Sequence, residues 1–328
     1  MTLVNLCKRS VPSAAMLALA VVTSAAVPLA NESAPTATVS QQVPPLSPPA
    51  AELKGKFEHR LQGIAGHLNG VAGYVILDLT SGDRIVHLDR AVFPTASTIK
   101  LAIVYELFRQ AQEGKIHLDE RITLDRAKAV GGSGVLFEMG TPTLSIRDYA
   151  TLMVTLSDNT ATNVLIDRLG MADITRRMQT LGLSETRLRR HMMDTAAARR
   201  GDENVSTPNE LVELLRLLNG PQAASGAAAK PNPMAEAIEL LKKPKESRLR
   251  KGLPEGVATA DKPGELDGVR VDAGIVYATN RPYIFCVMTT FLKDEAEGEK
   301  AIEEMSRATY EYFSRLGAGA TLGRRLDP

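Results

Sequence analysis

Tryptophan is absent, cysteine occurs twice, and aromatic residues make up only 4% of the 328-residue chain. So few rings argue against a surface built to stack nucleic-acid bases. Charge of one sign is also missing: 39 Lys and Arg face 38 Asp and Glu, for a formal charge of +1. Phosphate binding needs a concentrated basic surface, so nucleic acid is not the expected partner. There is no C-x-x-C and no H-E-x-x-H, and His59, His67, His87, His117 and His191 are scattered. No metal site and no cofactor are therefore expected. What is present is ordinary globular composition, 44% apolar and 23% charged, which excludes a wholly disordered or collagen-like chain.

The N-terminus carries the order of a secretory signal. Lys8 and Arg9 precede an Ala-rich apolar stretch from about Val11 to Ala26, and Ser24-Ala25-Ala26 supplies the small residues a signal peptidase reads. The alternative is an uncleaved anchor, but Pro12, Ser13, Thr23 and Pro28 interrupt the run that a membrane span needs. Cys7 lies before the apolar stretch, so a lipid anchor there is not expected. Cleavage removes Cys7, Lys8 and Arg9, takes the formal charge to −1, and leaves Cys286 without an intramolecular partner. The mature chain is expected to be secreted or periplasmic, with no stable membrane span, and to rely on its core for stability. Five prolines between Asn31 and Ala50 mark a flexible tether.

Four segments result: a signal over 1–26, a Pro-rich tether over 27–50, a folded domain over 51–316 and a short tail over 317–328. Within the domain, Glu52 to His67 reads as a helix, followed by a β-rich run from Gly70 to Thr80, a turn at Ser81-Gly82-Asp83 and a second strand from Arg84 to Leu88. Val257 to Ala260, Val269 to Tyr277 and Tyr283 to Phe291 read as three further strands, and Asp294 to Leu316 as a helix. The middle, Thr95 to Leu241, reads as mostly helical, and Gly220 to Pro233 as an exposed loop. The simplest plan is α+β: one antiparallel sheet made from the strands of both chain ends, flanked by helices, with a helical lobe inserted between them. A monomer is expected.

From Ile99 to Phe108 the sequence reads IKLAIVYELF, with only Lys100 and Glu106 charged. A helix apolar nearly all round is buried, and a lysine in its first turn is expensive unless its position serves something. Ser97 lies three residues earlier, on the same face and near the helix N-terminus. That suits a nucleophilic serine with a lysine as proton acceptor, its pKa lowered by burial and a second cation. Taken alone, S-x-x-K fits a capping serine and a snorkelling lysine equally well. Ser157-Asp158-Asn159 at a helix junction would alone be a cap, and Asp261-Lys262-Pro263-Gly264, at the end of a strand, would alone be a turn.

In this order the three motifs match the set S-x-x-K, S-D-N and K-T-G, and the chain resembles the class A serine β-lactamases within the β-lactamase and penicillin-binding protein superfamily. The resemblance spans roughly Glu52 to Leu316 and includes Gly134-Val135-Leu136, Thr186-Arg187-Leu188, Ser206-Thr207-Pro208 and Gly268 to Gly274. It implies that Ser97 is acylated, that Lys100 is its base or relay, and that Ser157 passes a proton to the leaving nitrogen. It further implies that Asn159 binds the substrate's side-chain amide and that Lys262, with Gly264, binds the substrate carboxylate. The N–H groups of Ser97 and Glu265 would form the oxyanion hole, and Arg270 would face Lys262 and add positive charge. The implied substrate is a small β-lactam or a D-alanyl peptide.

Two departures stand out. Pro263 replaces the threonine of K-T-G and removes both a hydroxyl and a strand N–H. Met192 falls where the family carries the loop glutamate that activates the deacylating water, and Ala196 where it carries an asparagine; neither can take a proton. Asp194 and His191 are the nearby alternatives. The aspartate that would pair with this loop's arginine falls on Val205 or Asn204, so a different loop path is expected. Three functions compete: a β-lactam hydrolase, a peptidase or esterase on D-alanyl cell-wall fragments, and a protein that only binds β-lactams or is acylated slowly. The tripeptide Arg200-Gly201-Asp202 and the sequons at Asn31 and Asn204 are read as chance.

Overall fold

The computed structural model describes residues 47–220, 234–319 and 323–324. The signal, nearly all of the tether and residues 221–233 of the expected loop lie outside the described residues. No helix among the described residues is long and apolar enough to cross a membrane.

Helix α1 (Pro48–His67) starts four residues before the expected Glu52, inside the stretch read as tether. Pro48 and Pro49 hold φ near helical values and, at a first turn, forfeit no hydrogen bond. Phe57 and Leu61, one turn apart, are its buried residues, and Phe57 stacks on Tyr312 at 4.4 Å between centroids. Strand β1 (Val71–Asp78) is joined by the predicted turn to β2 (Arg84–His87), which pairs from Tyr74↔His87 to Leu77↔Arg84.

The inserted lobe follows. It holds β3 (Phe93–Pro94), α2 (Lys100–Gln112), β4 (Arg121–Thr123), β5 (Thr143–Ser145), α3 (Ile146–Thr155), α4 (Asn159–Leu169), α5 (Met171–Thr180), α6 (Thr195–Arg199), β6 (Val205–Ser206), α7 (Pro208–Asn219) and α8 (Ala235–Lys242). The short helix α9 (Arg248–Lys251) leads into β7 (Thr259–Leu266), β8 (Val269–Val276), β9 (Tyr283–Thr290) and the closing helix α10 (Glu295–Ala318). Asp294 caps α10 by accepting the Ala296 N–H at 2.9 Å.

The five-stranded sheet runs β2-β1-β9-β8-β7, antiparallel throughout, so β1 from one chain end pairs with β9 from the other, from Val71↔Thr290 to Asp78↔Tyr283. Along β1 the side chains sort by period two: Val75 and Leu77 join the core shared with the helical lobe, while Tyr74 and Ile76 join the core under α1 and α10. A sheet covered on both faces explains why β1 and β9 are almost continuously apolar.

One boundary differs in a way that matters. The strand expected to end at Ala260 instead begins at Thr259 and runs through Asp261-Lys262-Pro263-Gly264, so the motif read as a turn is the middle of β7. Pro263 is accommodated because β7 is the sheet edge, where a missing N–H breaks no ladder on the open side.

Candidate active site

A short 3₁₀ turn, Ala96–Ile99, leads into α2, so Ser97 sits at the mouth of a buried helix and Lys100 is its first residue. Two charged side chains are buried on α2. Glu106 is compensated by Arg177 Nε at 2.6 Å and Gln110 at 2.8 Å. Lys100, fully buried, has only neutral hydrogen-bond partners: Ser97 Oγ at 3.0 Å, Ser157 Oγ at 2.9 Å, the Ser157 carbonyl at 2.7 Å and Asn159 Oδ1 at 3.3 Å. Desolvation, and then the positive charge of Lys262, hold its pKa well below the ordinary lysine value.

Ser157 links the two lysines. Its Oγ donates to Ser97 Oγ at 2.9 Å and accepts from Lys262 Nζ at 3.1 Å. Its backbone is in the left-handed region (φ 54°), a strained state that neighbours must hold in place. Asp158 does so: Oδ1 caps α4 through Ala161 N at 2.8 Å, and Oδ2 accepts from Val135 N and Leu136 N at 2.7 and 2.9 Å. Asn159 donates from Nδ2 to the Gly131 carbonyl at 3.0 Å. Lys262 also donates to the Pro263 carbonyl at 2.9 Å, and burial followed by the Lys245 charge lowers its pKa to about 8.

Gly264 is where β7 meets the Ser97 turn. A Cβ there would lie 2.8 Å from the Thr95 carbonyl oxygen and 2.9 Å from Ser97 N. Only a residue without a side chain lets the strand edge carrying Glu265 approach the Ser97 amide this closely. Ser97, Lys100, Ser157, Asn159, Lys262 and Gly264 are thus brought together. With the pKa of Lys100 lowered by burial and by Lys262, the cluster is suited to deprotonating the Ser97 hydroxyl, with Ser157 on a path for that proton.

Arg270 is not brought to this cluster, which corrects the expectation that it faces Lys262. Lys262 is paired with Ala273, three residues away from Arg270 along β8, and odd separations put side chains on opposite faces. Arg270 instead holds Glu299 of α10 at 3.0 Å and the carbonyls of Leu266 and Val269 at 2.9 Å.

The loop before α6 is better anchored than the sequence suggested. Arg190 has an anionic partner, Glu203, at 2.7 Å through Nη2, one residue before the two positions expected to hold it. Asn204 Oδ1 accepts from Arg189 N and Arg190 N, and Arg187 bridges Val205. Asn163 receives the Met192 N–H on Oδ1 at 2.8 Å and donates from Nδ2 to the Met192 carbonyl at 3.1 Å. Asn163 lies one helical turn beyond Asn159 on α4, a spacing that was available in the sequence. Met192 itself is buried in the lobe core. Asp194 is engaged in capping α6 through Ala197 N at 2.9 Å. His191 Nε2 pairs with Asp167 at 2.9 Å, and Asp167 with Lys128 at 2.9 Å. Ala196 is exposed.

An antiparallel sheet between helices, with a serine and a lysine at the head of a buried helix and a second lysine on the edge strand, is the arrangement of a serine acyl-transfer fold. Residues 56–313 match the beta-lactamase enzyme family, and the chain belongs to that family. Among curated relatives, the imipenem-hydrolyzing β-lactamase of Enterobacter cloacae is 27% identical, over 78% of this chain and 89% of its own length. β-Lactamase AST-1 of Nocardia asteroides is 28% identical, over 75% and 79% respectively. Among solved structures, PBP-A superposes with a TM-score of 0.71 at 28% identity, covering 83% of this chain and 98% of its own. An ancestral class A β-lactamase gives 0.70 at 27% identity, covering 78% and 100%.

Proposed function

We propose that this protein is an exported serine hydrolase of the class A β-lactamase type, which opens β-lactam amides through an acyl-enzyme at Ser97. The observation that carries this reading is the continuous hydrogen-bonded group Ser97, Lys100, Ser157 and Lys262, with Lys100 buried among neutral acceptors. Neutral Lys100 takes the Ser97 proton across 3.0 Å as Oγ attacks the lactam carbonyl. The C–N bond then breaks, and Ser157 delivers a proton to the departing nitrogen, resupplied from Lys100 or Lys262. The backbone N–H groups of Ser97 and Glu265 bind the oxyanion, which is typically the largest electrostatic contribution. Asn159 receives the side-chain amide, and Lys262 the carboxylate, without the hydroxyl that Pro263 lacks.

Release of the acyl group is slow in this reading, because Met192 stands where a general base would and cannot accept a proton. Asp194 and His191 are occupied with other partners. A leucine-to-glutamate variant of PBP-A has been captured as its acyl-enzyme complex with penicillin G, which supports an acyl-enzyme here as well. The same missing base favours a second reading, a D-alanyl peptidase or esterase acting on cell-wall fragments, which shares the acylation step. Export to the periplasm or medium rests on Lys8, Arg9, the apolar stretch and Ser24-Ala25-Ala26, and the mature protein is taken to act as a monomer. Intact-mass spectrometry of the protein mixed with penicillin G, followed in time, tests the function. A lasting adduct on the peptide bearing Ser97 is expected; absence of any adduct refutes the acyl-enzyme.

A further inference from the structure

Strand alternation sends Lys262 into the site and its neighbour Asp261 to the opposite face of β7. Asp261 is fully buried there, and Gly274, its partner on β8, makes room for it: a Cβ at Gly274 would lie 2.4 Å from the Asp261 Cβ. Asp261 Oδ1 accepts from Thr259 Oγ1 at 3.0 Å and from Arg250 of α9, through Nε at 2.8 Å and Nη2 at 2.7 Å. Its Oδ2 is buried with no hydrogen-bond partner among the described residues. A second cation faces the same carboxylate. Lys245, in the link between α8 and α9, has Nζ 3.8 Å from Asp261 Oδ1, and its side chain is only 2% exposed. A lysine is rarely buried so completely unless its charge is used.

Lys245 is held in place from its other side. Nζ donates to the Leu241 and Lys243 carbonyls at 2.5 and 2.7 Å, at the C-terminal end of α8, where a helix presents free carbonyls and the negative end of its dipole. One ammonium thus ties α8 to the back of the strand that carries Lys262. Arg250 already meets the Asp261 charge, so Lys245 adds positive charge to a buried space behind Lys262. The charged groups facing Lys262 divide by sign. Asp261 and Glu265 on β7 and Asp272 on β8 favour its protonated form, whereas Lys245 opposes it, and Lys100 lies across Ser157. Lys245 itself meets Asp261, Asp272 and Arg250.

We propose that Lys245 is a positioning residue that acts through space on Lys262: its buried ammonium, held between the end of α8 and Asp261, governs how much positive charge Lys262 presents to the site. With Lys245 charged, Lys262 gives up its proton at a lower pH; without that charge, it keeps the proton to a higher pH. As regards the substrate, this rests on the acyl-enzyme reading above, in which Lys262 receives the substrate carboxylate. Lys245 then sets the pH above which an anionic substrate is no longer held. Asp272 ionises in a nearby range, but it is the same in every Lys245 variant, so comparing those variants isolates the effect of residue 245.

The test is NMR of the protein labelled with ¹³C at lysine Cε, followed against pH, with the Lys262 resonance assigned by its loss in Lys262→Arg. The wild-type midpoint of Lys262 is expected at about 8. Lys245→Met should raise it by roughly one pH unit. Lys245→Gln, which keeps a donor for the α8 carbonyls but carries no charge, should do the same, and it carries the test if the methionine variant does not fold. Lys245→Arg should return the midpoint to the wild-type value. A midpoint that stays put in the neutral variants, or moves as far in Lys245→Arg, overturns the proposal. Calorimetry of penicillin G on the Ser97→Ala protein, with and without Lys245→Gln, reads the substrate separately. Affinity should fall above the Lys262 midpoint, and that fall should move up in pH with Lys245→Gln. A shifted midpoint that penicillin affinity does not follow leaves the role of Lys245 standing and removes Lys262 as the holder of the carboxylate.

Discussion

Asn163 grips Met192 by both ends of its carboxamide, at 2.8 and 3.1 Å, and so fixes the main chain at the position to which the sequence resemblance assigns a catalytic glutamate. Because the clamp acts on backbone atoms, it is indifferent to the side chain at 192. Met192→Glu should therefore keep the loop path and supply a base, its carboxylate leaving the apolar core that Met192 occupies. General-base help is typically worth ~10²–10⁴-fold, and a rise in deacylation rate of at least about tenfold is expected. Restoring Asn at Ala196 as well should add to it, since both groups would hold one water. A pre-steady-state burst assay reads this directly: fast turnover by wild type, with no burst, would show that another base is already at work.

In the proposed mechanism Lys100 is the proton acceptor, so acylation should follow its neutral fraction. Burial and Lys262 lower its pKa, which raises the share of the neutral form, and acidification charges it. The acylation rate should fall about tenfold per pH unit below that depressed pKa and level off above it. Stopped-flow acylation across a mildly acidic to mildly basic range measures this. A flat profile would exclude Lys100 as the base. Lys100→Ala should cost acylation ~10³-fold or more.

The contact between Gly264 and the Ser97 turn leaves no space for a methyl group. Gly264→Ala would place a carbon 2.8–3.0 Å from main-chain atoms of Thr95, Ser97 and Thr98. Backbone cannot rotate away as a side chain can, so a loss of roughly 1–3 kcal/mol is expected. The oxyanion hole should open at the same time. Thermal denaturation and the acylation rate should both fall. Unchanged acylation would separate β7 from the hole.

Asp272 is fully buried on β8, with Oδ1 unpartnered and Oδ2 bound to Leu249 N at 2.9 Å. Burial, and then the neighbouring Asp261 carboxylate, raise its pKa from 3.8 to about 7. A carboxyl whose folded pKa lies above its unfolded value favours the fold while protonated. That contribution is present below the unfolded value and is lost as pH rises to about 7. Asp272→Asn should remove this dependence. Above neutrality the variant should melt higher than wild type by a few degrees, at roughly 2–4 °C per kcal/mol for a domain near this size. A lower melting temperature at every pH would show that the ionised carboxylate is needed.

The Arg190–Glu203 pair is part-buried and is one of several contacts holding the loop. Glu203→Gln keeps the fold and should lower stability by no more than about 1 kcal/mol. Its larger effect should be on the rim: Met193 should become more accessible to oxidation by hydrogen peroxide, as read by mass spectrometry. Unaltered oxidation would show that the Asn163 clamp and the Asn204 bonds suffice.

Local pattern was enough for much of the architecture. Runs of β-forming residues between turn signals marked β1, β8 and β9, the apolar run Ile99–Phe108 marked a buried helix, and Lys100 stood out because such a helix tolerates few charges. Those properties belong to single segments, so they are legible one residue after another. Pairing belongs to two segments at once, and there the sequence by itself was silent or misleading. The motif Asp261–Gly264 looks like a turn but is mid-strand, because an edge position excuses Pro263. Arg270 looks near enough to face Lys262 but lies on the other face of the sheet, because a three-residue offset in register reverses the side chain. Glu203 was not expected because it lies one position before the two that match the family's aspartate, and only the loop closure brings it to Arg190. The sequence alone determined most of the elements, the order of the motifs and the presence of a methionine, with no proton acceptor, at 192. Register, the closeness of Gly264 to Ser97 and the clamp on Met192 required the tertiary structure, since each depends on where two distant stretches of backbone come to rest.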